Sequence, residues 1–148
     1  MNKKLNAALV AAALVAALAG CETMNKMGAS MSGGGGEKVS LTGSNEVPPV
    51  QSAASGMGTV AVNSDKTVKV DIKVSGMTPT AAHIHEGAAG ANGPVLVPLV
   101  KKGDNEFVAA EGAKLTDAQY EAYKAGKTYV NVHSEAHKGG EIRAQLVP

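Results

Sequence analysis

The stretch Thr67-Val68-Lys69-Val70-Asp71-Ile72-Lys73-Val74-Ser75 decides the fold. Val68, Val70, Ile72 and Val74 alternate with Lys69, Asp71 and Lys73, a period of two. Successive side chains of a strand point to opposite faces, so this run is a half-buried β-strand with one apolar and one wet face. Clean alternation of this kind belongs to antiparallel sheets, which keep one face against water.

Working outward, Ser64-Asp65-Lys66 separates this strand from another over Gly58–Asn63 and reads as a hairpin turn. Further short β runs are expected at Lys38–Thr42, Ala81–Glu86, Val95–Val100, Glu106–Glu111, Thr128–His133 and Glu141–Val147. Breaks such as Ala91-Asn92-Gly93-Pro94 separate them. One helix interrupts the series. Thr116 is a suitable N-cap, Gln119 completes a capping-box pattern, and Gly126 stands where a C-terminal glycine belongs. Leu115, Tyr120 and Tyr123 would pack that helix onto the sheet. The pattern predicts an all-β fold: an antiparallel Greek-key barrel or sandwich of about eight strands, with one short helix.

The N-terminal region has a different character. Lys3 and Lys4 precede an apolar run from Ala7 to Ala19, and Leu18-Ala19-Gly20-Cys21 follows. The run is too short for a permanent span, which needs roughly 20 apolar residues, and it suits a signal peptide. The ending resembles the bacterial lipobox, which implies that Cys21 becomes the lipidated first residue of the mature protein. Its acyl chains, palmitate among them, would anchor the chain to a membrane. Three segments are therefore expected: a lipoprotein signal peptide at 1–20, a flexible lipid-anchored tether at 21–37, and a β domain at 38–148. The tether holds Ser32-Gly33-Gly34-Gly35-Gly36 and no apolar period; about 15 such residues reach on the order of 20 Å. Glu22 rather than Asp follows Cys21, which for a Gram-negative host favours the outer membrane, with the domain facing the periplasm. An unidentified envelope protein is the expected macromolecular partner.

Residues 1–20 contain two of the 14 basic residues and none of the 13 acidic ones, leaving 12 against 13. A balance near neutrality excludes nucleic acid as an expected partner. Phe107, Tyr120, Tyr123 and Tyr129 are the only aromatic residues besides histidine. The core must then be built of Val, Ala, Leu and Ile, with no stacking platform for bases. Cys21 is the single cysteine, so no intrachain disulfide supports the domain.

The four histidines fall in His83-Ile84-His85 and His133-Ser134-Glu135-Ala136-His137. On a strand His83 and His85 share a face, and two imidazoles so spaced can reach one metal ion, with copper or zinc the ions that favour them. His133 ends the strand Tyr129–His133 and would supply a third nitrogen if that strand end lies nearby. His137 and Glu86 are further candidates, as ligands or as groups that orient them. The same spacing also suits histidines that are hydrogen-bonded parts of the scaffold, and Glu86 a solvated turn carboxylate. Arg143 could draw an anion toward the site or pair with Glu141, Glu135 or Glu86. The segment Asn45-Glu46-Val47-Pro48-Pro49-Val50 is forced extended by its prolines. It reads as a rigid lead-in loop, with Asn45 and Glu46 free for local hydrogen bonds. No Gly-rich phosphate loop and no Ser-His-Asp or Cys-His set is present, so no catalytic residue is assigned.

Leu41–Val50, Ala82-His83-Ile84-His85, Asn92-Gly93-Pro94-Val95, Tyr129–His133 and Gly140-Glu141-Ile142-Arg143 together resemble the signature of the CHRD domain, the chordin-type domain of many exported bacterial proteins. The resemblance covers roughly residues 38–147. It departs at Ala144, where the family usually has Gly, and at Lys138-Gly139, which replaces a Pro-bearing loop. Chordin-type modules occur in extracellular proteins, which implies a structural or adhesive role as an alternative to metal binding.

More distantly, the same segments are similar to copper–zinc superoxide dismutase. That similarity implies a barrel, copper on His83, His85 and His133, and Arg143 beside the open position. Val95 stands where that enzyme has its bridging histidine, and the zinc loop and disulfide cysteines are missing. The resemblance thus gives poor support for dismutation. The combined expectation is a lipid-anchored envelope module binding copper, or zinc, without catalysis.

Overall fold

The expected alternation is realised in the strand Val68–Ser75, where Val68, Val70, Ile72 and Val74 are buried and the residues between them are exposed. The computed structural model describes residues 35–148. The expected signal peptide, Cys21 and nearly all of the tether lie outside the described residues.

Eight strands form β1 (Glu37–Thr42), β2 (Ser55–Val62), β3 (Val68–Ser75), β4 (Ala81–Glu86), β5 (Val95–Gly103), β6 (Glu106–Ala109), β7 (Thr128–His133) and β8 (Ile142–Leu146). They close into a barrel in the order β1-β2-β3-β6-β5-β4-β7-β8, with antiparallel pairing throughout. Neighbouring strands in sequence form hairpins. The β3–β4 and β6–β7 connections cross between them, which gives the Greek-key order. Closure gives every strand a neighbour on both sides, although β1 meets β8 at one registered pair only. The interior is filled by Leu41, Val60, Ile72, Ile84, Val130, Val132, Ile142 and Leu146, all at most 2 % exposed, with Phe107 the one phenylalanine.

The β2–β3 turn uses the predicted residues. Asp65 accepts from the Thr67 backbone N–H at 3.0 Å and from its hydroxyl, and Lys66 takes a positive φ of 70° to reverse the chain. Strand β2 begins three residues earlier than the alternation suggested. Its inward Gly56 has no side chain to reveal a period, because the space is filled by Leu41 and Ile142. Strand β5 runs on through Lys101 to Gly103, with an irregular register there, and β6 stops at Ala109 before the turn at Gly112.

The helix α1 (Asp117–Lys124) starts at Thr116 with both capping-box bonds, Gln119 N to Thr116 Oγ1 at 3.2 Å and Thr116 N to Gln119 Oε1 at 2.9 Å. Leu115 and Tyr123 reach the core cluster and Tyr120 packs at its margin. Gly126, with φ 68°, ends it.

One sector of the barrel departs from the inside-apolar, outside-wet rule. Every residue of β7 is buried, and β8 is buried except for Gln145. The outer face of β4, β7 and β8 is covered by loops 43–54, 87–94 and 134–140. Asn45 Nδ2 donates to Arg143 O at 3.2 Å, Asn92 Nδ2 to Val47 O at 2.8 Å, and Gln145 Nε2 to Gly87 O at 2.9 Å. This covered face carries the histidines.

Candidate metal centre

Strand alternation puts Ala82 and Ile84 into the core and His83 and His85 on the covered face. On β7, Val130 and Val132 face inward and Tyr129, Asn131 and His133 outward. Register then sets His83 opposite Asn131, His85 opposite Tyr129, and Ala81 opposite His133. His133 is therefore diagonal to His83, within reach of an imidazole. One ring nitrogen from each of His83, His85 and His133 lies within 4.8 Å of the other two.

Backbone carbonyls fix which nitrogens converge. His85 Nδ1 is 2.9 Å from Gly93 O and His133 Nδ1 is 2.8 Å from Lys138 O. A carbonyl only accepts, so each Nδ1 carries a proton, which in the neutral ring leaves the lone pair on Nε2. His83 presents Nδ1, 3.0 Å from His133 Nε2. The donor set is one Nδ1 and two Nε2 atoms.

His85 and His133 are each 9 % exposed, and His83 is partly open to solvent. Burial holds the His83 imidazole below the usual histidine pKa, reinforced by the nearby His133 and His85. Burial does the same for His85, opposed in part by its bond to Gly93 and by the Asn131 side chain. Both are thus neutral at pH 7, the form a metal ligand requires. His85 Nε2 is buried and has no hydrogen-bond partner. Such an orphaned acceptor is costly, and metal coordination would satisfy it. Three imidazole nitrogens suit copper or zinc, so the residues fit the ion.

The further candidates are placed differently. Glu86 is exposed at the end of β4 and bonds to no imidazole. His137 lies in the loop after β7, where its backbone N–H donates to Ser134, and lines a separate cleft of about 640 Å³ with Pro48, Pro49 and Lys138. Arg143 pairs with none of Glu141, Glu135 or Glu86. It is 2 % exposed, its Nη2 donates to Ala91 O at 2.8 Å, and its guanidinium lies over the Tyr129 ring. Ala144, where the family usually has Gly, points to the opposite, core side.

Glu46 is 4 % exposed, and its carboxyl is pushed above the usual range by burial, with the charge of Arg143 pulling it back. Sequence reasoning gave Glu46 only local bonds, since a loop that folds back across β8 leaves no periodic signal. Tyr129 and Asn131 were also passed over. They lie four and two residues before His133, so alternation alone places them on its face.

Glu141 organises the loops rather than the histidines. Its two oxygens accept from Ser52 Oγ at 2.6 Å and from Ser134 Oγ, tying loop 43–54 to the β7–β8 connection.

No curated protein and no solved structure matches the chain. The likeness to copper–zinc superoxide dismutase therefore stays with the motifs quoted above. The CHRD domain matches residues 38–146, which span nearly the whole barrel from β1 to β8, and the chain belongs to the CHRD domain family.

Proposed function

We propose that the chain is a lipid-anchored envelope module that binds a transition metal, copper in the first place and zinc as the alternative, through His83, His85 and His133. The observation that carries this reading is the convergence of three ring nitrogens within 4.8 Å, two of them oriented by carbonyl oxygens. Groups that fix tautomer and ring plane in this way are the usual companions of metal-bound histidine. A bound copper ion would supply a Lewis acid that can also change oxidation state. The chain's own contribution is to hold the donors aimed and largely dry. The lipobox at Cys21 supports placing this module at a membrane surface, where it would buffer metal or pass it to an envelope partner.

One observation favours a second reading, a structural or adhesive domain without metal. At 3.0 Å, His83 Nδ1 can donate to His133 Nε2, so these two rings satisfy one another directly. Calorimetric titration of the full chain with Cu(II) and Zn(II) separates the two. The metal reading predicts one equivalent bound with affinity well above that of a generic histidine-containing peptide. Binding no tighter than such a peptide would leave the scaffold reading standing. Copper-loaded chain no more active on superoxide than free copper is the expected outcome of an activity assay.

A further inference from the structure

His85 is held by more than a carbonyl. Tyr129, 2 % exposed, sits opposite it in register, and the two rings stack with planes 2° apart and centroids 4.9 Å apart. From β8, on the other side of β7, Arg143 places its guanidinium carbon 3.2 Å from the centroid of the same phenol ring. The ring is thus the middle layer of a stack running from imidazole to guanidinium. Its hydroxyl accepts the Gly93 N–H at 3.2 Å, and the Gly93 carbonyl accepts His85 Nδ1–H at 2.9 Å. Tyr129 and His85 are therefore joined twice, face to face and through one residue of the loop. Position 93 needs glycine, because a Cβ there would collide with the Glu86 carbonyl oxygen. Arg143 grips the same loop two residues earlier, at Ala91 O.

We infer that Tyr129 is a positioning residue that locks His85 in the Nδ1–H tautomer with Nε2 free, and that Arg143 acts through it. A neutral imidazole in water exchanges between two tautomers, so a ligand that must present Nε2 gains from a fixed acceptor on Nδ1. That acceptor, Gly93 O, is only as fixed as its own peptide. Tyr129 Oη holds the peptide from its N–H side, and the π-face contacts hold the ring. Arg143 steadies the far face of the ring and the start of the turn. The inference rests on the metal reading only for the use made of Nε2.

The test is a long-range ¹H–¹⁵N correlation of the imidazole nitrogens in the metal-free full chain, followed by copper titration of the same samples. The wild-type chain is expected to show His85 as a single Nδ1–H tautomer. Tyr129→Phe keeps the stack and removes only the hydroxyl, so the Gly93 peptide is released and His85 becomes a tautomer mixture. Its copper dissociation constant should rise about tenfold, the lower end for residues that orient metal ligands. Tyr129→Leu removes the stack as well and should show the larger change. If that variant does not fold, as judged by its amide dispersion, Tyr129→Phe decides alone. An unchanged single tautomer in folded Tyr129→Phe overturns the inference. A lock that Tyr129→Phe releases, in a chain that takes up no copper, upholds the inference and overturns the metal reading instead.

Discussion

At the scale of single residues, the site is an arrangement of three imidazole donors on a largely buried face. His83 and His85 are lowered in pKa mainly by burial, while Arg143 meets the Tyr129 ring and a carbonyl. Glu141 shows the opposite balance: burial alone would raise its carboxyl, and the bonds from Ser134 and Ser52 outweigh that and lower it. A carboxyl depressed in the folded state adds stability that is full above the unfolded pKa, near 4.5, and lost as pH falls through the folded value. Glu141→Gln should therefore cost about 1.5–3 kcal/mol at pH 7, the range of a hydrogen bond to a charged group. In urea unfolding followed from pH 7 to pH 3, the gap between variant and wild type should close on the acid side. A constant gap would show that the charge is not what matters. The shared face of His83 and His85 was legible from alternation alone. The partners of Arg143 were not, because Tyr129 and Ala91 reach it from other elements, and a list of nearby acids in sequence misled.

At the scale of elements, the strands were legible wherever both faces carried side chains of contrasting polarity, as in β3, β4 and β7. They were less so where glycine or lysine broke the contrast, as at the start of β2 and the end of β5. Gly58 of β2 lies opposite Ile72 of β3, and a Cβ there would strike the Asp71 carbonyl oxygen. Gly58→Ala should thus lower stability by about 1–3 kcal/mol, as over-packing does, measured as a shift in urea midpoint. An unchanged midpoint would mean that β2 and β3 separate there at little cost. The helix was read from its caps, and its capping box forms as the sequence predicted. Thr116→Ala should cost about 1 kcal/mol, seen in the same assay, and should leave metal binding alone because the capping bonds join only Thr116 and Gln119. The convergence of β4 and β7 was the part of the site the sequence left open. It depends on a pairing between strands more than 40 residues apart, which no local pattern encodes; the family resemblance was its only signal.

At the scale of the whole molecule, direct pairing of β4 with β7 and of β7 with β8 builds the one covered face, and β1 against β8 closes the barrel. Its narrowest seam is β1 with β8, where Thr42 and Arg143 are the one registered pair, against eight for β2 with β3. Local opening begins where a ladder is short, so amides of β8 that face β1 should exchange faster than those facing β7. Equal protection on both sides would show that the seam is no weaker than its neighbours. The central claim also belongs to this scale, because a ligand that binds only the folded chain stabilises all of it. The most direct measurement is thermal unfolding of the full chain without metal and with Cu(II) or Zn(II), in wild type, His83→Ala and His133→Ala. Metal at 100 times its dissociation constant adds about 2.7 kcal/mol, which raises the midpoint of a domain this size by several degrees. The account predicts that rise in the wild-type chain and its loss in both variants. A midpoint indifferent to either metal, or a rise that survives in both variants, would contradict it.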